Sequence, residues 1–298
     1  MPSLKESLKE SAAARAGIER RFGFMPLSVL RLTRGALSRS MFHYSAEHGR
    51  NTGQGVDRPK AREAGAPATI KLGGSGPRMH SDGTETFSVM AAELVEFFVK
   101  YYAEPGQTYL DPFMGQGVQM QVAHRLGLHY WGFDACAKFV RYIEAVRAKL
   151  GPTPTRIEVF HGDSRDPARI PDGIGDFSFH SPPYWDIEHY DDDPAQLGVG
   201  KSYEQFLDGM RDVARAWLPK FKPGAWHVVN VSDFRTGGQF YPYHTDTIEV
   251  FTRAGWAVHD QWIVEGLIAG LPKVFAADFN TKRIAPRVHE YAIVFRKP

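Results

Sequence analysis

A mostly parallel α/β sheet with helices on both faces is the fold class this chain predicts, and three observations carry that expectation. Strand-like and helix-like segments alternate from Tyr109 onward. The first of these strands runs into a turn with two glycines, Asp111-Pro112-Phe113-Met114-Gly115-Gln116-Gly117, and then into a helical stretch, the form of a nucleotide site. The last two strand-like segments, 257–264 and 290–295, have no helix between them, which predicts an antiparallel final strand.

Taken in order, residues 3–21 carry Ala, Leu, Lys, Glu and Arg behind Ser3, a helix with a capping residue. Residues 49–83 are rich in Gly, Pro, Arg and Ser and lack an apolar period, so they read as a loop. A helical pattern returns over 86–102 through Val89, Leu94, Val95, Phe97 and Phe98. Strands follow at 109–110, 130–133, 156–160, 177–179, 226–231, 257–264 and 290–295, which makes the sheet seven-stranded. Helices are expected at 118–126, 137–150, 203–218 and 244–254. The connection over 266–287 is long, and long connections are often functional.

A chain of 298 residues, 43% hydrophobic, can bury one large core with a smaller appendage. The expected division is a basic extension over 1–80 and a principal domain over 81–298. The extension holds fourteen Lys and Arg against six Asp and Glu, while the rest holds 22 against 28. Such a segment suits a phosphate backbone, gaining affinity by counterion release, and its loop over 49–83 is expected to become more ordered on binding. The single cysteine, Cys136, excludes an internal disulfide and fits a reducing cytoplasm. There is no apolar run of about eighteen residues, and the charged first twenty lack a signal-peptide pattern, so no membrane association is expected.

Gly115 and Gly117 let the backbone approach a ligand where side chains would collide. A dinucleotide fingerprint needs a third glycine where Met120 stands, which disfavours NAD. Asp134, ending the second strand, is placed to accept from two ribose hydroxyls, and Asp163, after the third, from an adenine amino group. Any one of these acids taken alone is more often a turn or cap residue. Some seventy residues on, Ser181-Pro182-Pro183-Tyr184-Trp185 follows another strand, so both loops emerge at the same carboxyl edge of a parallel sheet. Among the histidines there is no HExxH and no zinc-type cluster, and the acidic run Asp186, Glu188, Asp191, Asp192 and Asp193 lacks EF-hand spacing. No metal is expected.

These two motifs resemble those of the S-adenosylmethionine-dependent amino-methyltransferases of DNA, whose cofactor motif is Asp-Pro-Phe-x-Gly-x-Gly and whose catalytic motif is Ser, Asp or Asn before Pro-Pro-Tyr or Pro-Pro-Phe. The resemblance extends to Gly132-Phe133-Asp134, Gly162-Asp163 and a closing strand from His289 to Arg296 like those ending many phage and prophage methylases. It implies a Rossmann-like class I methyltransferase fold, S-adenosylmethionine as cofactor, and DNA as partner with the target base extracted from the duplex. A cognate restriction enzyme is one further partner that the resemblance admits. It also implies that Asp111 fixes the loop or accepts from the cofactor's amino group, that Phe113 belongs to the cofactor loop, and that the lead-in with Thr86, Phe87 and Ser88 lines the methionine end. Gln116 departs from the small residue usual between the glycines.

An exocyclic aromatic amine is a poor nucleophile because its lone pair is delocalised into the ring. Ser181 Oγ and the Pro182 carbonyl are the natural acceptors for its hydrogens, in a loop whose path Pro182 and Pro183 fix. Tyr184 can stack on the extracted base. Serine in the first place leans the reading toward N4 of cytosine over N6 of adenine. Too few residues separate the motifs for a target-recognition domain, so recognition falls to 1–80, 185–202 or 232–287. The last region offers Arg235, Lys273, Lys282, Arg283 and Arg287 with Phe240, Tyr241 and Tyr243. An RNA or small-molecule methyltransferase would share the cofactor half, and a non-catalytic DNA-binding protein could share the fold. The Ser-Pro-Pro-Tyr-Trp form with the closing strand counts against the first, and an intact Ser181 and glycine loop against the second.

Overall fold

The computed structural model describes residues 14, 16, 17, 20, 28–31, 78–79, 85–86, 90–185, 193–198, 200–265, 283–284, 287 and 289–298. Most of the expected loop over 49–83, in which only the extended Arg78 and Met79 are described, most of the helix over 3–21, Phe87, Ser88, Lys273, Lys282 and the acids from Asp186 to Asp192 lie outside them. The elements in chain order are β1 (Val29–Arg31), β2 (Arg78–Met79), β3 (Glu85–Thr86), α1 (Ala92–Tyr102), β4 (Thr108–Asp111), α2 (Val118–Arg125), β5 (His129–Asp134), α3 (Ala137–Arg147), β6 (Ile157–His161) and β7 (Gly175–His180). They continue with α4 (Tyr203–Trp217), a 3₁₀ turn (Leu218–Lys220), β8 (Phe221–Val231), β9 (Phe234–Thr236), β10 (Gln239–Tyr241), α5 (Tyr243–Arg253), β11 (Ala257–Glu265) and β12 (His289–Arg296).

The main sheet runs β1-β11-β12-β8-β7-β4-β5-β6. Strands β6, β5, β4, β7 and β8 are mutually parallel, and β12 inserts antiparallel between β8 and β11. The seven expected strands and their antiparallel last member are therefore present, in the order of a Rossmann-like methyltransferase sheet. An eighth strand is added at the edge, where β1 from the basic leader pairs parallel with β11. The helix expected from residue 86 starts at Ala92, because Glu85 and Thr86 are extended and pair antiparallel with Arg78 and Met79. Helix α4 begins where its sequence permits: Ser202 accepts from the Gln205 amide and Gln205 from the Ser202 amide, a reciprocal capping box.

Side chains of the central strands alternate strictly between two cores, as the two-residue period of a strand requires. Tyr109, Tyr130, Val228, Ala292 and Val294 pack under α1, α2 and α3 with Phe97, Phe98, Val122 and Ile143. Leu110, Trp131, Val229, Ile293 and Phe295 pack on the other face under α4 and α5 with Phe206, Val213, Trp217 and Phe251. Among the described residues no helix is long and apolar enough to cross a membrane.

Two polar arrangements are built into this core. In the first, the Tyr130 ring folds back along β5 over Gly132, and its hydroxyl donates to Asp111 Oδ2 at 2.8 Å. A Cβ on Gly132 would stand 2.6 Å from that hydroxyl oxygen. In the second, His180 on β7 and His227 on β8, both fully buried, bring their Nε2 atoms to 2.8 Å, so one ring donates and the other accepts. Aromatic rings enclose them, Phe113 against His180 and Phe221, Phe251 and Trp256 against His227. Burial holds His180 down to about 3 and His227 well below the ordinary range.

Two outcomes follow for stability. Gly132→Ala pushes the Tyr130 hydroxyl off Asp111 and lowers the urea midpoint, with a loss of about 1–3 kcal/mol. For the histidines, the unfolded rings take a proton near 6.5 and the folded His180 only near 3. Their contribution is thus full above pH 6.5 and drains as pH falls toward 3. Asp111 acts oppositely: its folded carboxyl, raised from 3.8 to about 7, keeps a proton across that window. Comparing urea midpoints of wild type and His227→Phe between pH 6.5 and 4 isolates the pair, because Asp111 is common to both. The variant's midpoint should decline less steeply, and parallel profiles would contradict the assignment.

Candidate active site

The turn after β4 is shaped by left-handed backbone that glycine adopts freely, with φ of 50° at Gly115 and 74° at Gly117, the residue that caps α2. At Gly117 a Cβ would also lie 3.0 Å from the Ile143 side chain of α3, so this position is closed to larger residues. Beside Gly115 a Cβ would meet nothing within 4 Å, which leaves its surface open to a ligand.

Two strand-end carboxylates organise the turn, and they do different work. Asp111 is wholly buried, with Oδ2 held by Tyr130 and Oδ1 accepting the Phe113 amide at 3.1 Å. Burial raises it to about 7, although those two hydrogen bonds oppose the rise. It is a loop anchor. Asp134 is only partly buried, and its two oxygens accept from the Gly115 and Cys136 amides, each at 2.8 Å. One carboxylate thereby ties the loop after β4 to the loop after β5 and still borders open space. Asp163 is engaged differently, in a two-pronged contact with the Arg165 guanidinium at 2.6–2.9 Å.

At the end of β7 the chain enters Ser181-Pro182-Pro183-Tyr184. Among the described residues the Ser181 hydroxyl has no hydrogen-bond partner. The Pro183 carbonyl accepts from the Tyr243 hydroxyl at 3.3 Å. The Tyr184 hydroxyl accepts the Ser232 amide at 2.8 Å, and its ring stands edge-on to Phe234 and Tyr243. Trp185 is fixed by donating to the Lys201 carbonyl, and Gly198 must lack a side chain because a Cβ there would lie 2.7 Å from the Trp185 carbonyl oxygen.

A single cavity joins the two halves. Phe113, Gly115, Gln116, Asp134, Ala135 and Phe139 form one side, Ser181 and Pro183 another, and Ser164 with Ala195, Gln196 and Leu197 the remainder. Of the residues singled out in the sequence, Phe113, Gly115, Asp134, Ser181 and Pro183 line it. Asp111 and Gly117 support it from behind, while Asp163, Pro182 and Tyr184 are not in its wall, and Phe87 and Ser88 are outside the described residues. Sequence reasoning missed Phe139, Ser164 and residues 195–197; Phe139 alone carried a signal, being an apolar residue in the first turn of the helix after Asp134. Gln116 fills the place between the glycines with a side-chain oxygen that is buried and has no partner among the described residues. No group of three or more His, Cys, Asp and Glu among the described residues is placed to hold a metal ion.

Residues 69–145 match the family model described as DNA methylase. No curated protein matches the chain. Among solved structures, TrmN from Thermus thermophilus is 20% identical with a TM-score of 0.46, covering 70% of this chain and 49% of its own. An S-adenosylmethionine-dependent methyltransferase from Methanosarcina mazei is 12% identical with a TM-score of 0.46, covering 67% of this chain and 96% of its own. A proposed DNA modification methylase, also from Thermus thermophilus, is 24% identical with a TM-score of 0.36, covering 46% of this chain and 51% of its own. The chain thus spans about half the length of TrmN and of the Thermus methylase. The segment 69–145, which carries the glycine loop and Asp134, is the part of the chain that is similar to DNA methylases.

Proposed function

We propose that this protein transfers a methyl group from S-adenosylmethionine to the exocyclic amino group of a base in DNA, N4 of cytosine in preference to N6 of adenine. The observation that carries the reading is the shared cavity. The unpartnered Ser181 hydroxyl borders the same space as Gly115 and Asp134, so a nucleophile held by one motif meets an electrophile held by the other.

The residues suit the cofactor. Gly115 offers open backbone, Asp134 has a carboxylate at the cavity for ribose hydroxyls, and Phe139 gives an apolar face for the adenine ring. Asp111 is committed to Tyr130 and the Phe113 amide, so we assign the cofactor's amino group to Gln116, whose buried side-chain oxygen is in need of a donor. Asp163 serves the adenine side through the loop it and Arg165 fix, next to Ser164 in the wall. When bound, S-adenosylmethionine supplies a methyl group made electrophilic by its sulfonium.

Ser181 Oγ and the Pro182 carbonyl accept the two amine hydrogens, which lets nitrogen pyramidalise and direct its lone pair outward. The prolines hold these acceptors in place without an N–H to compete. Tyr184 follows these acceptors outside the cavity wall, locked by Ser232 and by the rings around it, and we assign its ring to the extracted base. Phosphates are held by the basic residues of 1–80. In a reducing cytoplasm, as the buried free Cys136 suits, such a methylase would share its target sequence with a cognate restriction enzyme if one accompanies it.

Expression in a methylation-deficient host, with nucleosides quantified by mass spectrometry, tests the reading. N4-methylcytosine should accumulate. Ser181→Ala should lower turnover on the order of 10²-fold while leaving S-adenosylmethionine affinity unchanged by calorimetry. Wild-type turnover in Ser181→Ala would refute the assignment.

A further inference from the structure

The chain between β8 and α5 turns back on itself as a hairpin, β9 and β10, joined through Gly237 and Gly238 with φ of 57° and 83°. Both central residues of a tight hairpin turn need positive φ, which this pair supplies. Register places Phe234 opposite Tyr241 and Arg235 opposite Phe240, so the two pairs point to opposite faces.

The inner face belongs to the site already described. Phe234 and Tyr241 stack at 5.1 Å, and Phe234 meets Tyr184 edge-on. The outer face has no such cover. Phe240 is 43% exposed, and the Arg235 and Arg287 guanidiniums stand 5.0 and 5.5 Å from its ring centroid. Neither arginine forms an ion pair among the described residues, and Arg287 Nη1 is buried without a hydrogen-bond partner there. Asp233 and Arg235 both act on Arg287 at longer range, with Tyr184 and Tyr291 also near. Two like charges brought to one exposed ring, with Asp233 the one acid acting on Arg287 at longer range, leave a net positive field, and the ligand that complements it carries both an anion and a flat π surface. A nucleotide unit has both.

We propose that this outer face seats the DNA strand beside the extracted base, with Phe240 stacked on a neighbouring base and Arg235 and Arg287 on its phosphates. The hairpin thereby couples binding to catalysis, since its other face braces Tyr184. The proposal rests on DNA being the substrate.

The full-length protein, a short mixed-sequence duplex carrying a fluorophore and a salt titration test it. Phe240→Ala should weaken duplex binding roughly 5- to 150-fold, the equivalent of one stacked base, and Phe240→Tyr should restore it. Arg235→Gln should lower the slope of log affinity against log salt by about 0.9, one phosphate contact. S-adenosylmethionine binding by calorimetry should be unchanged in each variant. If wild type methylates DNA while Phe240→Ala and Arg235→Gln match it in affinity and slope, this surface is overturned and the function stands. If wild type transfers no methyl to DNA, or binds and methylates RNA instead, the function falls and this proposal with it.

Discussion

The Asp134 carboxylate, accepting one backbone amide from each of two loops, is the constraint on which the site depends. Hydrogen bonds to an ionised acceptor are stronger than neutral ones, and here they fix the glycine turn against the neighbouring strand's loop. Without them, Gly115 and Gly117 would cost entropy to order and would hold no defined surface. Asp111 completes the arrangement from beneath, through Tyr130 and the Phe113 amide. Because it is buried and satisfied, it can anchor; because Asp134 is partly exposed, it can both anchor and bind.

Topology brings the second motif to this point. From β4 the chain builds outward through β5 and β6, then returns to place β7 on the other side of β4. The crevice at such a reversal is where ligands bind in open parallel sheets. Cross-links between the two central strands hold the juncture closed at the sheet: Asp176 accepts the Thr108 amide at 2.9 Å, and the Tyr109 hydroxyl donates to the Phe179 carbonyl. Ser181 therefore emerges beside Gly115 despite the intervening chain.

The parts of this legible in the sequence are those that leave a local mark. Strands 109–110, 130–133 and 290–295 were readable because a buried strand is a compact apolar run, and the glycine turn because a ligand-facing backbone excludes side chains. β1 has only three residues and owes its existence to β11, so no periodicity announces it. The β9–β10 hairpin did carry a signal, Gly237-Gly238, but its short strands, Phe-Arg-Thr and Gln-Phe-Tyr, do not alternate in polarity as a half-buried strand should. Non-local partnerships left no trace at all. The His180–His227 contact and the Ser232 hold on Tyr184 are products of packing, visible only once the strands are aligned.

The most direct test of the central claim is calorimetric titration of S-adenosylhomocysteine into the wild-type protein and into Asp134→Ala, with circular dichroism to confirm that both are folded. The account predicts binding at one site in the wild type and a loss of at least about tenfold in the variant, since removing one charged partner costs about 1.5–3 kcal/mol. Equal affinities in two folded proteins, or no binding to the wild type, would contradict it.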